Sequence, residues 1–71
     1  MKVHLAYDSE ANAAYIYMKD QIAAGEIVRS EVCDVAIEET AVILQFDAKD
    51  CLVGIEILGA RKLLPKELLA E

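Results

Sequence analysis

Residues Ala41–Leu58 read AVILQFDAKDCLVGIEIL, two apolar runs of strand length separated by the polar stretch Asp47-Ala-Lys-Asp50. Runs this short, bounded by turn formers, predict a β-hairpin rather than helices. Its turn would hold Asp50 near the left-handed region, which Asp tolerates better than most non-glycine residues. In the second run Ile55 and Ile57 face one way, while Gly54, Glu56 and Leu58 face the other, because successive strand side chains alternate.

The same periodicity extends toward the N-terminus. Between Glu26 and Ile37, Val28 and Val32 keep one phase and Val35 and Ile37 the other, so a bulge near Cys33-Asp34 is expected. Earlier still, Lys2–Tyr7 alternates with Val3, Leu5 and Tyr7 on one face and Lys2, His4 and Ala6 on the other. Ala13–Met18 alternates likewise, Tyr15 and Tyr17 opposing Ile16 and Met18, and the intervening Asp8-Ser-Glu-Ala-Asn12 is rich in turn formers. These two segments form a first hairpin, in which Tyr7 and Tyr15 are expected to face one another and set the register. Beyond Gly59, residues Ala60–Ala70 alone carry a helical signature, with Pro65 opening a final turn and Leu64 and Leu68 four apart on one face. The fold class expected is α+β: one domain over residues 1–71, a mostly antiparallel β meander of about five strands with a short C-terminal helix.

A chain of 71 residues that is 56% hydrophobic is globular with a thin core, and small domains of this kind often gain stability by pairing. An open meander also leaves an unpaired edge, so a homodimer is the expected assembly. Thirteen acidic residues against seven basic give a net charge of −6, the wrong sign for direct nucleic-acid binding but suited to a basic protein partner. Residues 1–60 hold 4 basic and 11 acidic side chains, whereas residues 61–71 hold 3 and 2. The N-terminus lacks a signal-like apolar region and no segment has the length of a membrane span, so a cytoplasmic protein without membrane attachment is expected. Cys33 and Cys51 have neither CxxC spacing nor a surrounding His/Cys set and read as reduced, structural thiols.

Asp8 and Asn12 can accept backbone hydrogen bonds in a tight connection, the commonest reason for Asx residues between paired strands. Asp8-x-Glu10-x-Asn12 lacks the downstream glycine and bidentate glutamate of a calcium loop. Glu56 stands in mid-strand, on a solvated face or paired with Arg29 or Lys62. His4, the sole histidine, lies on the polar side of the first strand and reads as structural. No familiar catalytic constellation occurs, so no catalytic residue, metal ligand or cofactor is assigned.

YDSEANAAYIYM (Tyr7–Met18) and FDAKDCLVGIEILGARKLLP (Phe46–Pro65) together resemble the small bacterial proteins of domain-of-unknown-function family 2283. The resemblance rests on Tyr7, Asp8, Glu10, Ala11, Ala13, Tyr15, Ile16, Asp47, Gly54, Ile55, Glu56, Ile57, Leu58, Ala60 and Lys62. The chain departs from the family pattern with Asn12 for Asp, Ala14 for Leu, Asp50 for the hairpin Gly and Gly59 for Asp. The resemblance implies a β-rich fold without an established activity, and an antitoxin-like or partner-binding role by association with small toxin-like proteins. A non-enzymatic protein-binding or regulatory module is therefore expected, with Tyr7, Asp8, Glu10, Asn12, Tyr15, Asp47 and Glu56 as candidate binding residues. The alternative is a minimal enzyme or divalent-metal-binding protein built on Asp8, Glu10, Asp47 and Glu56.

Overall fold

The structure, a computed structural model, describes residues 2–69. Among them five strands form one antiparallel sheet: β1 (His4–Asp8), β2 (Ala13–Tyr17), β3 (Arg29–Cys33), β4 (Ala41–Phe46) and β5 (Leu52–Leu58). Two four-residue helices follow, α1 (Ala60–Leu63) and α2 (Lys66–Leu69). The α+β class is as expected. Strands β3, β4 and β5 run as a meander, and the β1–β2 hairpin docks on β5 through β2, giving the order β1-β2-β5-β4-β3 with the last strand at the centre.

The register sorts the side chains into rows. On one face Leu5, Ile16, Ile55, Leu44 and Glu31 form a row, beside Tyr7, Ala14, Ile57, Val42 and Cys33. On the other face the rows are His4, Tyr17, Gly54, Gln45, Ser30 and Ala6, Tyr15, Glu56, Ile43, Val32, followed by Asp8, Ala13, Leu58, Ala41. The helices lie on the first face. Ala14, Ile57, Ala60 and Leu69 are buried there, with Leu5, Tyr7, Ile16, Ile55, Leu63 and Leu64 packed around them. A fully buried aliphatic side chain contributes roughly 1.5–3 kcal/mol, so Ile57 and Leu69 account for much of the docking of this short helical pair. The second face carries no helix. None of the six residues of β4 is fully buried, although β4 is an interior strand of the sheet.

Several sequence-based expectations need correction. Tyr7 pairs with Ala14 and Tyr15 with Ala6, so the two tyrosines lie on opposite faces and do not meet across the hairpin. The connection places residues of opposite parity opposite each other, and Tyr7 and Tyr15 share parity. Strand β3 stops at Cys33 instead of continuing to Ile37. Asp34 Oδ1 accepts the Ala36 N–H (2.7 Å), Ala36 and Glu39 adopt positive φ (60° and 61°), and the Thr40 hydroxyl donates to the Ile37 C=O (2.7 Å). These local bonds outcompete a ladder, leaving Val35 and Ile37 exposed. The ladder irregularity falls instead between Gln45 and Phe46, where β5 carries the extra residue Val53. Val3 lies outside β1 and is exposed. The helical segment is split at Leu64, which is extended (φ −107°, ψ 146°) as a residue before proline prefers. Leu68 is consequently exposed and Leu69 is the buried leucine of α2; Ala70, the last residue of the expected helix, lies outside the described residues.

Candidate functional site

The first turn is a built connection. Asp8 Oδ1 accepts the N–H groups of Glu10 (3.1 Å) and Ala11 (3.3 Å), the pattern that makes Asp a turn residue. Asn12 sits at φ 52° and turns toward the other end of the chain. Its C=O accepts the N–H groups of Gly59 and Ala60 (both 3.0 Å), and its Oδ1 accepts the Arg61 N–H (2.9 Å). Asn12 thereby satisfies three N–H donors at the start of α1, where Gly59, the N-cap residue, has no side chain to do so. Arg61 returns a bond from Nη2 to the Ser9 C=O (2.7 Å). Gly59 is required twice over: its φ is 74°, and a Cβ there would lie 2.6 Å from the Glu39 carbonyl oxygen. Glu10 is exposed on this turn.

Asp47 closes the β4–β5 hairpin, at the opposite end of β5. Its Oδ1 accepts the N–H groups of Lys49 (2.9 Å) and Cys51 (3.0 Å), and those bonds hold its carboxyl below the ordinary Asp range. Asp50 has φ 62°, the left-handed conformation expected for it. The carboxylates expected to act together are thus divided, Asp8 and Glu10 at one hairpin end, Asp47 at the other and Glu56 in the middle of β5, and among the described residues no three His, Cys, Asp or Glu side chains converge on one point.

Tyr15 and Glu56 are neighbours on the helix-free face, paired across β2 and β5. Tyr15 reaches past its own row: its hydroxyl donates to Gln45 Oε1 on β4, and its ring crosses Gly54 of β5. A Cβ on Gly54 would lie within 2.8 Å of Tyr15 Cε2 and closer still to Cζ and the hydroxyl. Tyr17 meets Tyr15 edge to face at 4.7 Å and stacks on His4 at 4.5 Å, 8° from parallel. Burial, then Tyr17 and the Glu56 charge, push the Tyr15 hydroxyl above its ordinary value of 10.0. Arg29 and Lys62, the partners expected for Glu56, are engaged elsewhere: Arg29 with Glu31 and Asp50, Lys62 with Glu39. No described residue donates to or ion-pairs with the Glu56 side chain. Two shallow depressions flank the Tyr15 ring. One is lined by Ala6, Tyr7, Asp8, Ala13, Ala14, Tyr15 and Glu56, the other by Tyr15, Tyr17, Ile22, Ile27 and Gln45.

A family model described as a protein of unknown function (DUF2283) matches residues 4–61. The chain belongs to the DUF2283 family. No curated protein and no solved structure matches it. The DUF2283 span runs from the first strand to Arg61 and so contains every residue of the Asn12 cap and of the Tyr15 array.

The candidate residues fall into two groups. Asp8, Asn12 and Asp47 spend side-chain oxygens on backbone N–H groups and shape the hairpin ends. Tyr15 and Glu56 stand on the open face, with Tyr7 and Asp8 at the edge of the first depression. Sequence reasoning missed Gln45, Tyr17, His4, Ile22 and Ile27 as parts of this surface. One signal was available, since an isolated glycine within a strand marks a close approach, and Gly54 is where Tyr15 crosses.

Proposed function

We propose that this DUF2283 protein is a non-enzymatic, cytosolic protein-binding module whose contact surface is the open face of the sheet. The partner presents arginine or lysine side chains among apolar ones. The observation that carries this reading is the unpaired Glu56 carboxylate beside the Tyr15 ring on a sheet face without helices. Strand positions on this face contribute two carboxylates, Asp8 and Glu56, and no Lys or Arg; the one strand Arg, Arg29, belongs to the helix-side row. A guanidinium or ammonium docking here meets a carboxylate and the faces of tyrosine rings together, while Ile22, Ile27, Ile43 and Leu58 supply apolar contact. The net charge of −6 attracts such a partner from a distance. No described helix is long and apolar enough to cross a membrane.

The experiment is a heteronuclear NMR titration of the labelled protein with an arginine-bearing amphipathic peptide and with its glutamate counterpart. Saturable shifts confined to Tyr15, Tyr17, Gln45, Glu56 and their row neighbours, produced only by the basic peptide, are the expected result. Equal responses to both peptides, or shifts centred on α1 and α2, would count against it.

A further inference from the structure

Strand β3 ends the sheet, and its outer edge has both free backbone groups and exposed aliphatic side chains. The direction of those groups follows from the ladder. The Met18 N–H bonds the Val53 C=O and the Gly59 N–H bonds the Asn12 C=O, both at 3.0 Å. Bonded and unbonded pairs alternate along antiparallel strands, and the pattern carries from β2 through β5 and β4. Arg29, Glu31 and Cys33 therefore bond β4, and Ser30 and Val32 direct their N–H and C=O groups outward. Val32 is 70% exposed and Val28, just before the strand, 61%. The accessible surface of 4928 Å² stands above the roughly 4400 Å² of a compact monomer of this mass.

We propose that β3 pairs antiparallel with β3 of a second copy about a two-fold axis at Ser30, making one continuous ten-stranded sheet. Three registers join outward groups to outward groups, and the charges choose among them. An axis at Glu31 sets Glu31 against Glu31 of the partner subunit, a like-charge pair directly opposed. An axis at Val32 places Arg29 opposite Val35 of the partner subunit, leaving the charge without a cross-strand partner. With the axis at Ser30, Arg29 lies opposite the partner's Glu31 and Glu31 opposite the partner's Arg29, while Val28 and Val32 of each copy come opposite Val32 and Val28 of the partner subunit. The two residue types already attract within one chain, where Arg29 Nη1 lies 3.1 Å from Glu31 Oε2. Across the axis each guanidinium gains a third carboxylate, beside Glu31 and Asp50 of its own copy. The Ser30 N–H and C=O groups bond those of the partner's Ser30, and the edge is removed. This pairing does not depend on the function proposed for the open face, whose rows simply continue across the axis from Ser30 and Val32.

Sedimentation velocity across the micromolar to millimolar range is the test, with circular dichroism reporting the fold of each variant. The wild type should pass from 7.8 kDa toward twice that mass. Arg29→Glu and Glu31→Gln should each weaken the dimer, the former by on the order of tenfold, and the double variant Arg29→Glu/Glu31→Arg should recover it. Val32→Pro removes an outward N–H that no strand of the same copy uses and should leave a folded monomer; if it does not fold, the charge variants decide. A wild type that stays monomeric throughout, a Glu31→Gln variant that pairs more tightly, or a charge swap that fails to recover pairing would each overturn the proposal.

Discussion

Tyr15 lies across Gly54, a residue of the neighbouring strand, and its hydroxyl reaches Gln45 one strand further on. One side chain thus straps β2, β5 and β4 together, and only a residue without Cβ leaves room beneath it. Gly54→Ala should cost about 1–3 kcal/mol, the usual scale of overpacking. In a Tyr15→Ala background the same change should cost little, since the ring is what it strikes. Urea unfolding of the four proteins measures the coupling; additivity within about 0.5 kcal/mol would show that the ring and the glycine act independently.

Asn12 ties the first turn to the start of α1, so its substitutions should separate the cap from the backbone conformation. Asn12→Asp keeps both the acceptor and tolerance of positive φ, and should change stability by less than about 0.5 kcal/mol. Asn12→Gly keeps only the conformation and should lose on the order of 1 kcal/mol, the worth of a cap. Asn12→Ala loses both and should be the least stable. Thermal unfolding ranks the series, and an Ala variant as stable as Gly would remove the conformational part of the account.

The Tyr15 hydroxyl titrates above 10.0 because burial, Tyr17 and Glu56 disfavour the phenolate. A group whose folded value is raised favours the folded state below its unfolded value, and that contribution disappears as pH rises through the folded value. Stability should therefore fall on the alkaline side of about pH 10, where the O–H donated to Gln45 is lost. Lys19, raised chiefly by its bond with Glu26, weakens the fold in the same direction. Comparison with Tyr15→Phe isolates the tyrosine: this variant should start about 1 kcal/mol lower and decline less steeply. Parallel pH profiles would contradict the assignment.

Asp47 shows the opposite sign. Its carboxyl is held below 3.8 by the N–H groups of Cys51 and Lys49, so its contribution is present above the unfolded value and vanishes as pH falls through the folded one. Carboxyl-detected NMR should find Asp47 titrating below the ordinary Asp range. Asp47→Ala should speed amide exchange at Lys49 and Cys51 while leaving the β1–β2 hairpin unaffected; unchanged exchange at those two amides would refute its role in the turn.

Period-two alternation made much of this fold legible. It placed Leu5 opposite in phase to His4 and Ala6, set Ile55 and Ile57 against Glu56, and located both hairpins, while turn chemistry gave the positive φ of Asp50. Pairing depends on connection geometry as well as on spacing, so Tyr7 and Tyr15 could be assigned strands but not partners. The end of β3 was hidden because Val35 and Ile37 keep an apolar rhythm while the bonds at Asp34 and Thr40 break the strand. Asn12 was readable as a turn residue, but its cap on Arg61 spans 49 positions and follows only from the docking of β2 on β5. The Tyr15 array was equally non-local, since Gln45 enters it from a third strand.

The binding account rests on Glu56 as the unpaired charge of the open face, and reversing that charge tests it most directly. Dissociation constants for the arginine-bearing and glutamate-bearing peptides should be measured by NMR for the wild type and for Glu56→Lys, with the amide spectrum as the check on folding. The expected result is binding of the basic peptide by the wild type, weakened by at least about tenfold in Glu56→Lys, with the acidic peptide gaining affinity. Equal affinity of both proteins for the basic peptide, with the fold intact, would contradict the account.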